Sequence, residues 1–298
     1  MGEISEKKNA LSALVVEGGA MRGIFSTGIL DAFLENNFNP FDICIGVSAG
    51  ANNLAAYLAE MYQRNFKVYT DYSVRPDFIN YRKFILGGHL VDLDWLWDIT
   101  IKELRIDREK IFNSNKKYYI GVTEVITGKA VFLEPNADNL EEILKASSSI
   151  PLFYRTPVKL EGTHYVDGGL ADPIPVKEAY TRNAKNIMVI RSRPYSFTMK
   201  PASNKLINKL YFRKHPNLLN AIVNRPTVYQ EAIDFMRTPP SDARIYEINP
   251  PEDFQTQRLT KDVSILKTDY SLGYNKGIKI MKQWKEEFIC NKKSEKVV

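Results

Sequence analysis

The sequence contains few cysteines, with only Cys44 and Cys290 among its 298 residues. Two thiols are too few for the disulfide framework of a small secreted protein. They also cannot supply the clustered thiolates of a cysteine-based structural zinc site. Long apolar runs are missing as well, and without about 18 consecutive apolar residues no transmembrane helix is expected.

The N-terminal sequence MGEISEKKNALSALVV lacks a long apolar stretch followed by a small-residue cleavage site, so no signal peptide is expected. Gly2 follows Met1, but Glu6 stands where the myristoylation pattern needs Ser or Thr. Together with two reduced thiols, these features favour a cytoplasmic protein. They are also compatible with a peripheral contact between the protein and a membrane surface.

The excess of positive charge is also small: the chain has 41 Lys and Arg and 35 Asp and Glu, which gives a net charge of +6. The late basic residues fit either a solvated surface or a weak attraction to anionic lipid. Nucleic-acid binding is not expected, since no recognition motif accompanies the charge. Sixteen Tyr, fifteen Phe and three Trp supply ample material for a folded core.

Short apolar runs alternate with amphipathic segments in the first part of the chain. The run 11–16 enters a glycine turn and is followed by helical spacing over 23–36. The run 42–47 breaks at Ser48-Ala49-Gly50 and is followed by a helix over 51–62. This repeated order of strand, glycine turn and helix predicts an α/β fold with a largely parallel sheet.

The rest of the chain predicts a hairpin over 117–133, two short strands over 158–166 and a strand over 186–191. After about residue 200 the pattern becomes mainly helical, with helices over 206–223, 228–236 and 263–288 and a short strand near Ile245. We therefore predict an α/β domain over 1–198 and a mainly helical C-terminal extension over 199–298.

A G-x-S-x-G pentapeptide, from Gly46 to Gly50, lies between a predicted strand and a predicted helix. This is the context of a nucleophile elbow, in which a sharp turn presents the serine at a helix N-terminus. Ser48 is therefore a candidate nucleophile. A structural serine in an ordinary strand–helix turn is the alternative.

A second glycine-rich turn, Gly18-Gly19-Ala20-Met21-Arg22-Gly23, follows the first predicted strand. Its backbone N–H groups could hold either a phosphate or an oxyanion. A dinucleotide fingerprint is disfavoured because Ala20 occupies a glycine position. In addition, Asp42 precedes the second strand instead of ending it.

The choice of a general base is narrow, because the chain has three histidines, His89, His164 and His215. Only His215 follows the order of an α/β-hydrolase triad, and each of the three is more typical of an ordinary surface or core histidine. Asp167 ends a predicted strand before Gly168 and Gly169 and could act on the serine directly. A plain Asp-Gly-Gly turn is the alternative.

These motifs together, EGGAMRG, GVSAG and VDGG in that order, resemble the patatin-like phospholipase family over residues 11–195. The resemblance implies a three-layer α/β/α fold and a serine–aspartate dyad without histidine, metal or cofactor. It assigns Ser48 as nucleophile and Asp167 as base, with the Gly19 and Ala20 N–H groups as oxyanion donors. The supporting residues are Gly18, Arg22, Gly23, Gly46, Gly50, Gly168 and Gly169.

The activity that the resemblance implies is hydrolysis of lipid acyl esters through an acyl-serine, as in a phospholipase A, a lysophospholipase or another carboxylic ester hydrolase. Acyl transfer to another alcohol, or weakly active lipid binding, are the alternatives. The family usually has glycine where this chain has Ala20. Alanine can serve if its φ is negative, whereas a turn that needs positive φ would compromise the oxyanion hole.

The stretch from Phe66 to Phe112 is rich in aromatic and aliphatic residues, among them Trp95 and Trp97. Core packing of short helices explains such a composition, and an acyl-chain pocket or lid beside Ser48 also does. Head group, chain length, position of attack and oligomeric state are not indicated by the sequence.

Overall fold

The computed structural model describes residues 10–201 and 212–290, without the side chains of 288–290. The strands are β1 (Leu11–Val16), β2 (Ile43–Val47), β3 (Lys117–Glu124), β4 (Ala130–Leu133), β5 (Val158–Leu160), β6 (Thr163–Asp167), β7 (Ala184–Ile190) and β8 (Arg244–Ile248). The helices are α1 (Ile24–Glu35), α2 (Ala49–Leu58), α3 (Arg64–Lys67), α4 (Tyr81–Ile85), α5 (Leu93–Glu103), α6 (Arg108–Asn113), α7 (Leu140–Ser148), α8 (Val176–Thr181), α9 (Pro216–Arg237) and α10 (Val263–Trp284). Short 3₁₀ turns cover Ala20–Gly23 and Gly168–Leu170.

The strands form one mixed sheet whose central part is parallel, in the order β3, β2, β1, β7 and β8. Strands β4 and β6 both pair antiparallel with β3, and β5 pairs antiparallel with β6. Because the five parallel strands point the same way, the turns after β1, β2, β7 and β8 meet at one edge of the sheet. The predicted α/β fold with a mostly parallel sheet is confirmed.

Alternate residues of the buried strands face two different helical layers, as the two-residue period of a strand requires. On β1, Leu14 and Val16 pack with α1, α2 and α10. Ala13 and Val15 instead pack with α8 and α9. This arrangement is a three-layer α/β/α architecture.

Helix α10 lies directly against α1, and glycines allow the two backbones to approach closely. A Cβ on Gly273 would lie 2.1 Å from the Phe25 carbonyl oxygen, and one on Gly28 would lie 2.2 Å from that of Tyr270. Such distances are below van der Waals contact, so larger residues at these positions would push the helices apart.

The C-terminal part is mainly helical, as predicted, and it also adds β8 to the edge of the sheet beside β7. The predicted boundary at residue 198 stays a prediction. No helix within residues 10–201 and 212–290 combines the length and the apolar character needed to cross a membrane.

The helix prediction after residue 200 is wrong in one detail. One continuous helix, α9, replaces the two predicted segments that ended at Val223 and began at Val228, and it contains Pro226. Proline removes one backbone hydrogen bond, but buried side chains on both sides of it, Leu218 and Tyr229 among them, anchor both halves. The beginning of the predicted helix over 206–223 lies outside the described residues.

Candidate active site

Ser48 occupies a strained turn between β2 and α2. Its backbone has φ 55° and ψ −129°, a conformation that side chains rarely adopt and that is typical of functional turns. The flanking glycines make the turn possible, because a Cβ on Gly50 would lie 2.3 Å from the Val16 carbonyl oxygen. A Cβ on Gly46 would lie 2.6 Å from the Ala51 Cα. The side chain of Ser48 is buried and lines two adjoining cavities.

Ser147, at the end of α7, fixes this turn to the sheet. The Ser48 N–H donates to the Ser147 Oγ at 2.7 Å, and the Ser147 hydroxyl donates to the Gly121 carbonyl oxygen at 2.7 Å. The Ser48 N–H is therefore already engaged. The local sequence gives no sign of this role of Ser147.

The register of the sheet brings Asp167 to the serine. Gly121 of β3 pairs with Val47 on one side and with β4 on the other. The next residue of β3, Val122, also pairs with β4 on one side. On its other side, which is the side occupied by β2, Val122 pairs with Asp167 of β6. Strand β6 therefore continues the line of β2 from the opposite direction, so that Ser48, directly after β2, faces Asp167, the last residue of β6.

The Asp167 carboxylate is buried and only partly hydrogen-bonded. Its Oδ1 accepts from the Gly169 N–H at 2.8 Å, whereas its Oδ2 has no hydrogen-bond partner within the described residues. Burial raises the pKa of Asp167, and contact with the Ser48 hydroxyl, the Gly169 N–H and the charge of Arg225 lower it. A buried carboxylate with one free oxygen beside a serine is suited to accept the serine's proton.

The paired glycines after Asp167 have structural reasons for their presence. A Cβ on Gly168 would lie 2.2 Å from the Gly121 carbonyl oxygen, so the chain passes too close to β3 for a larger residue. A Cβ on Gly169 would lie 3.0 Å from the Asp167 Oδ1. Both glycines therefore allow the carboxylate to be held tightly against the sheet.

The glycine-rich turn after β1 lies beside Ser48, as predicted. A Cβ on Gly18 would lie 2.8 Å from the Ser48 Cβ, and one on Gly23 would lie 2.2 Å from the Tyr69 hydroxyl oxygen. The N–H groups of Gly19 and Ala20 form no hydrogen bond within the described residues. They are free to donate to an oxyanion at the small cavity that both residues line with Ser48.

The backbone of Ala20 has a positive φ of 51°. This is the condition under which the sequence predicted a compromised oxyanion hole. The structure shows that alanine adopts the left-handed conformation, which costs a non-glycine residue about 1–2 kcal/mol. The strain is thus carried by Ala20, and its N–H remains unoccupied.

Glu17 anchors the start of this turn through a buried network that the sequence did not indicate. Its Oε2 accepts from the Ser192 N–H at 2.8 Å, and its Oε1 accepts from the Tyr229 hydroxyl at 3.1 Å. Arg191 donates to the same hydroxyl and forms an ion pair with Glu247. The network ties β1, β7, β8 and α9 together directly behind the oxyanion turn.

Three arginines line the small cavity with Ser48 and Asp167, namely Arg22, Arg225 and Arg258. Arg22 was predicted from the motif, whereas the other two come from the C-terminal part and have no signal in local sequence spacing. Arg22 is only 4 % exposed. Burial, followed by the charge of Arg193, lowers its pKa to about 9, while Glu17 acts in the opposite direction.

The larger cavity extends from Ser48 into the insertion between α2 and β3. It has a volume of about 130 Å³, against roughly 10–15 Å³ for one water on the same measure. Its apolar lining from the insertion includes Val68, Phe78, Ile79, Leu93, Leu96 and Trp97. Trp95 instead packs within the insertion's own apolar cluster. The insertion therefore provides both a small core and a wall of the cavity.

All three histidines lie in the described residues, and none lines either cavity. His89 accepts a hydrogen bond from the Arg155 N–H and stacks on Tyr154. His164 lies on β6, and His215 precedes the first residue of α9. Within residues 10–201 and 212–290, no group of three or more His, Cys, Asp and Glu residues could hold a metal ion.

Comparison with protein families gives two matches. The family described as patatin-like phospholipase matches residues 14–180. A domain of unknown function, DUF6363, matches residues 215–288. The uncharacterized protein YjjU of Escherichia coli is 37 % identical over 265 residues, which cover 88 % of this chain and 74 % of that protein.

Lysophospholipase NTE1 of Lodderomyces elongisporus is 23 % identical over 297 residues, which cover 94 % of this chain and 20 % of that protein. The chain thus spans about a fifth of the length of this relative. Among solved structures, VipD from Legionella pneumophila has a TM-score of 0.47 at 14 % identity, covering 92 % of this chain and 67 % of that one. Human GIVD cytosolic phospholipase A2 has a TM-score of 0.38 at 12 % identity, covering 92 % and 58 %.

Proposed function

The chain belongs to the patatin-like phospholipase family, and from this membership and the geometry of its site we propose that it is a serine lipid acyl hydrolase. Its substrates are fatty-acyl esters of the phospholipid, lysophospholipid or related carboxylic ester type. The dyad is Ser48 and Asp167. The observation that carries the proposal is the buried Asp167 carboxylate, which contacts the Ser48 hydroxyl and whose Oδ2 has no hydrogen-bond partner within the described residues.

The proposed reaction proceeds in two steps. The Ser48 Oγ attacks the ester carbonyl carbon while Asp167 takes the hydroxyl proton, and the Gly19 and Ala20 N–H groups stabilise the oxyanion. The C–O bond to the alcohol then breaks, and the alcohol leaves with the proton from Asp167. Water attacks the acyl-serine while Asp167 takes one of its protons. The bond between the acyl carbon and the Ser48 Oγ then breaks, the Oγ takes the proton back from Asp167, and the fatty acid is released.

Labelling with a fluorophosphonate and peptide mass mapping test this proposal. We expect modification of Ser48 in the wild type and none in Ser48→Ala, with a strongly reduced rate in Asp167→Asn. The matched controls, Ser271→Ala and Asp253→Asn, change exposed residues and should label normally. Lipid binding without labelling of the folded wild type would instead support a non-catalytic lipid-binding protein.

Product analysis separates hydrolysis from acyl transfer. Both reactions use the same acyl-serine and differ in the nucleophile that resolves it. With a lipid ester and added glycerol, we expect free fatty acid as the main product. A predominant new glycerol ester would identify the protein as an acyltransferase.

A peripheral contact with a lipid surface is part of the proposal, and α4 and the residue after it support it. Ile85 is 82 % and Leu86 is 87 % exposed, next to the basic Arg82 and Lys83. Apolar side chains flanked by basic ones are suited to an anionic membrane surface. The double variant Ile85→Ser/Leu86→Ser should co-sediment less with anionic vesicles than the wild type, whereas Ile126→Ser should behave like it.

A further inference from the structure

The two cavities at Ser48 differ in chemistry and meet at the serine. Both are lined by Ala20, Ser48 and Arg258. The larger one is apolar and extends into the insertion, which suits a fatty-acyl chain. The smaller one is lined by Asp167 and three arginines. An ester bound with its carbonyl at Ser48 would therefore have its alcohol part in a positively charged environment.

The arginines around this small cavity lack the usual counter-ions. Arg22, Arg225 and Arg258 form no ion pair within 4 Å among the described residues, and the same is true of the neighbouring Arg193. Arg191 close by is different, because it forms an ion pair with Glu247. Arg22 is buried, and taking an unpaired charge out of water is expensive, so such a group normally has a partner. Arg225, Arg258 and Arg193 are partly exposed. An anion bound in the small cavity would supply the partner that its three lining arginines lack.

The electrostatics of the cluster agree with its geometry. Burial lowers the pKa of Arg258, and so do the positive charges of Arg225 and Arg193, while the charge of Asp167 acts in the opposite direction. The arginines therefore repel one another, and a bound anion would relieve this repulsion. Asp167 is the one carboxylate that lines the small cavity within the described residues, and it is assigned to the proton transfer.

The segment that matches the domain of unknown function supplies two of these arginines. Arg225 lies on α9, where its Nε donates to the Gly169 carbonyl oxygen. Arg258 lies in the loop after β8, and its carbonyl oxygen accepts from the Met21 N–H at 3.4 Å. Because β8 is parallel to β1, β2 and β7, this loop emerges at the same edge of the sheet as Ser48.

We propose that residues 215–288 complete the active site as an anion-binding element, in which Arg225 and Arg258, together with Arg22, hold a phosphate on the alcohol side of the scissile ester. This inference rests on the proposed function and narrows the substrates to phosphate-bearing acyl esters. Guanidinium groups suit this role because they offer several donors in a planar arrangement that matches phosphate oxygens.

A pair of substrates that differ only in the phosphate tests the proposal: 1-oleoylglycerol 3-phosphate and 1-oleoylglycerol, presented in the same detergent micelles. We expect the wild type to have the higher kcat/KM for the phosphate-bearing ester. In Arg258→Gln and in Arg225→Gln the ratio of the two kcat/KM values should fall by about tenfold or more. In Arg258→Lys this ratio should fall less, and in the exposed control Arg244→Gln it should equal the wild-type ratio.

An unchanged ratio in both glutamine variants would overturn the proposal. So would an equal loss toward both esters, because it would place these arginines in the handling of Asp167 or in folding. Inhibition by inorganic phosphate is a second test. If phosphate inhibits 1-oleoylglycerol hydrolysis competitively and Arg258→Gln weakens this inhibition, the site is open to free phosphate. If the ratio of the two kcat/KM values changes in the variants but phosphate does not inhibit, the site is one for the lipid headgroup.

The proposed function can fail separately. If the wild type hydrolyses neither ester and Ser48 is not labelled, the hydrolase assignment is wrong, and the anion site is then tested by binding alone. Inorganic phosphate should raise the Tm of the wild type by mass action and should raise that of Arg258→Gln less. Equal shifts in the two proteins would overturn the anion site as well.

Discussion

Ala20 carries backbone strain at the point where the proposed oxyanion donors lie. Its φ of 51° is one that glycine adopts without penalty. Ala20→Gly should therefore raise the free energy of unfolding by about 0.5–1 kcal/mol, because the relief of strain exceeds the added entropy of the unfolded chain. Chemical denaturation would measure this change.

The matched control for that prediction is Ala56→Gly, within α2, where the backbone φ is not positive. There the same change should lower the free energy of unfolding by about 1 kcal/mol. If Ala20→Gly destabilised the protein to the same extent as Ala56→Gly, the left-handed conformation of Ala20 would be contradicted.

The protonation of Asp167 should control the acid side of the activity profile. Burial raises the pKa of this carboxyl above its ordinary value, and a base must be deprotonated. We expect kcat/KM to fall as the pH falls through this raised pKa. The charge of Arg258 lowers the pKa of Asp167, so Arg258→Gln should move the acid limb to higher pH. The limb should stay in place in Arg244→Gln, and an equal position in all three proteins would argue against Asp167 as the base.

At the scale of elements, Asp31 of α1 and Tyr270 of α10 form a buried contact between the two packed helices. The Tyr270 hydroxyl donates to the Asp31 Oδ2 at 2.9 Å, and the Gln63 N–H donates to the Oδ1 at 3.1 Å. Burial raises the pKa of Asp31 from 3.8 to about 6, although both hydrogen bonds act to lower it. The folded protein therefore binds this proton more tightly than the unfolded chain does.

This contact predicts a pH dependence of stability. Because the folded pKa is the higher one, the contribution of Asp31 to stability is largest below about pH 4 and declines up to about pH 6. As the pH rises from 4.5 to 7.5, Asp31→Asn should lose less stability than the wild type, by about 2 kcal/mol. Parallel denaturation curves at the two pH values check this, with Asp253→Asn as the control. Equal losses in all three proteins would contradict it.

Elements with a strong local pattern were predictable, and elements fixed by distant contacts were not. The first two strand–helix units follow from alternating apolar runs and glycine turns, and Ser48 follows from its pentapeptide. Helix α9 was divided at Pro226, because local rules could not anticipate the packing of Leu218 and Tyr229 on either side. Arg258 was missed because its proximity to the site depends on β8 joining the sheet beside β7.

At the scale of the whole molecule, the apolar cavity joins the insertion to the catalytic sheet. Trp97 lines this cavity and donates from Nε1 to the Glu141 carbonyl oxygen at 2.9 Å. Trp97→Ala should shift the preferred acyl-chain length upward, because it enlarges the space available to the chain. Trp95→Ala changes a neighbour that does not line the cavity and should leave the preference unchanged. Rates on a series of acyl esters would measure both, and the same shift in both variants would contradict the assignment of the cavity.

The packing of α10 against α1 also bears on when the fold is completed during synthesis. Synthesis proceeds from the N-terminus, so the ribosome releases α1 and the Ser48 turn well before α10. Until α10 arrives, the face of α1 around Gly28 and Asp31 has no cover, and contacts between such distant segments form late in folding. The site around Ser48 is thus expected to be completed only after α10 has been synthesised and has docked on α1.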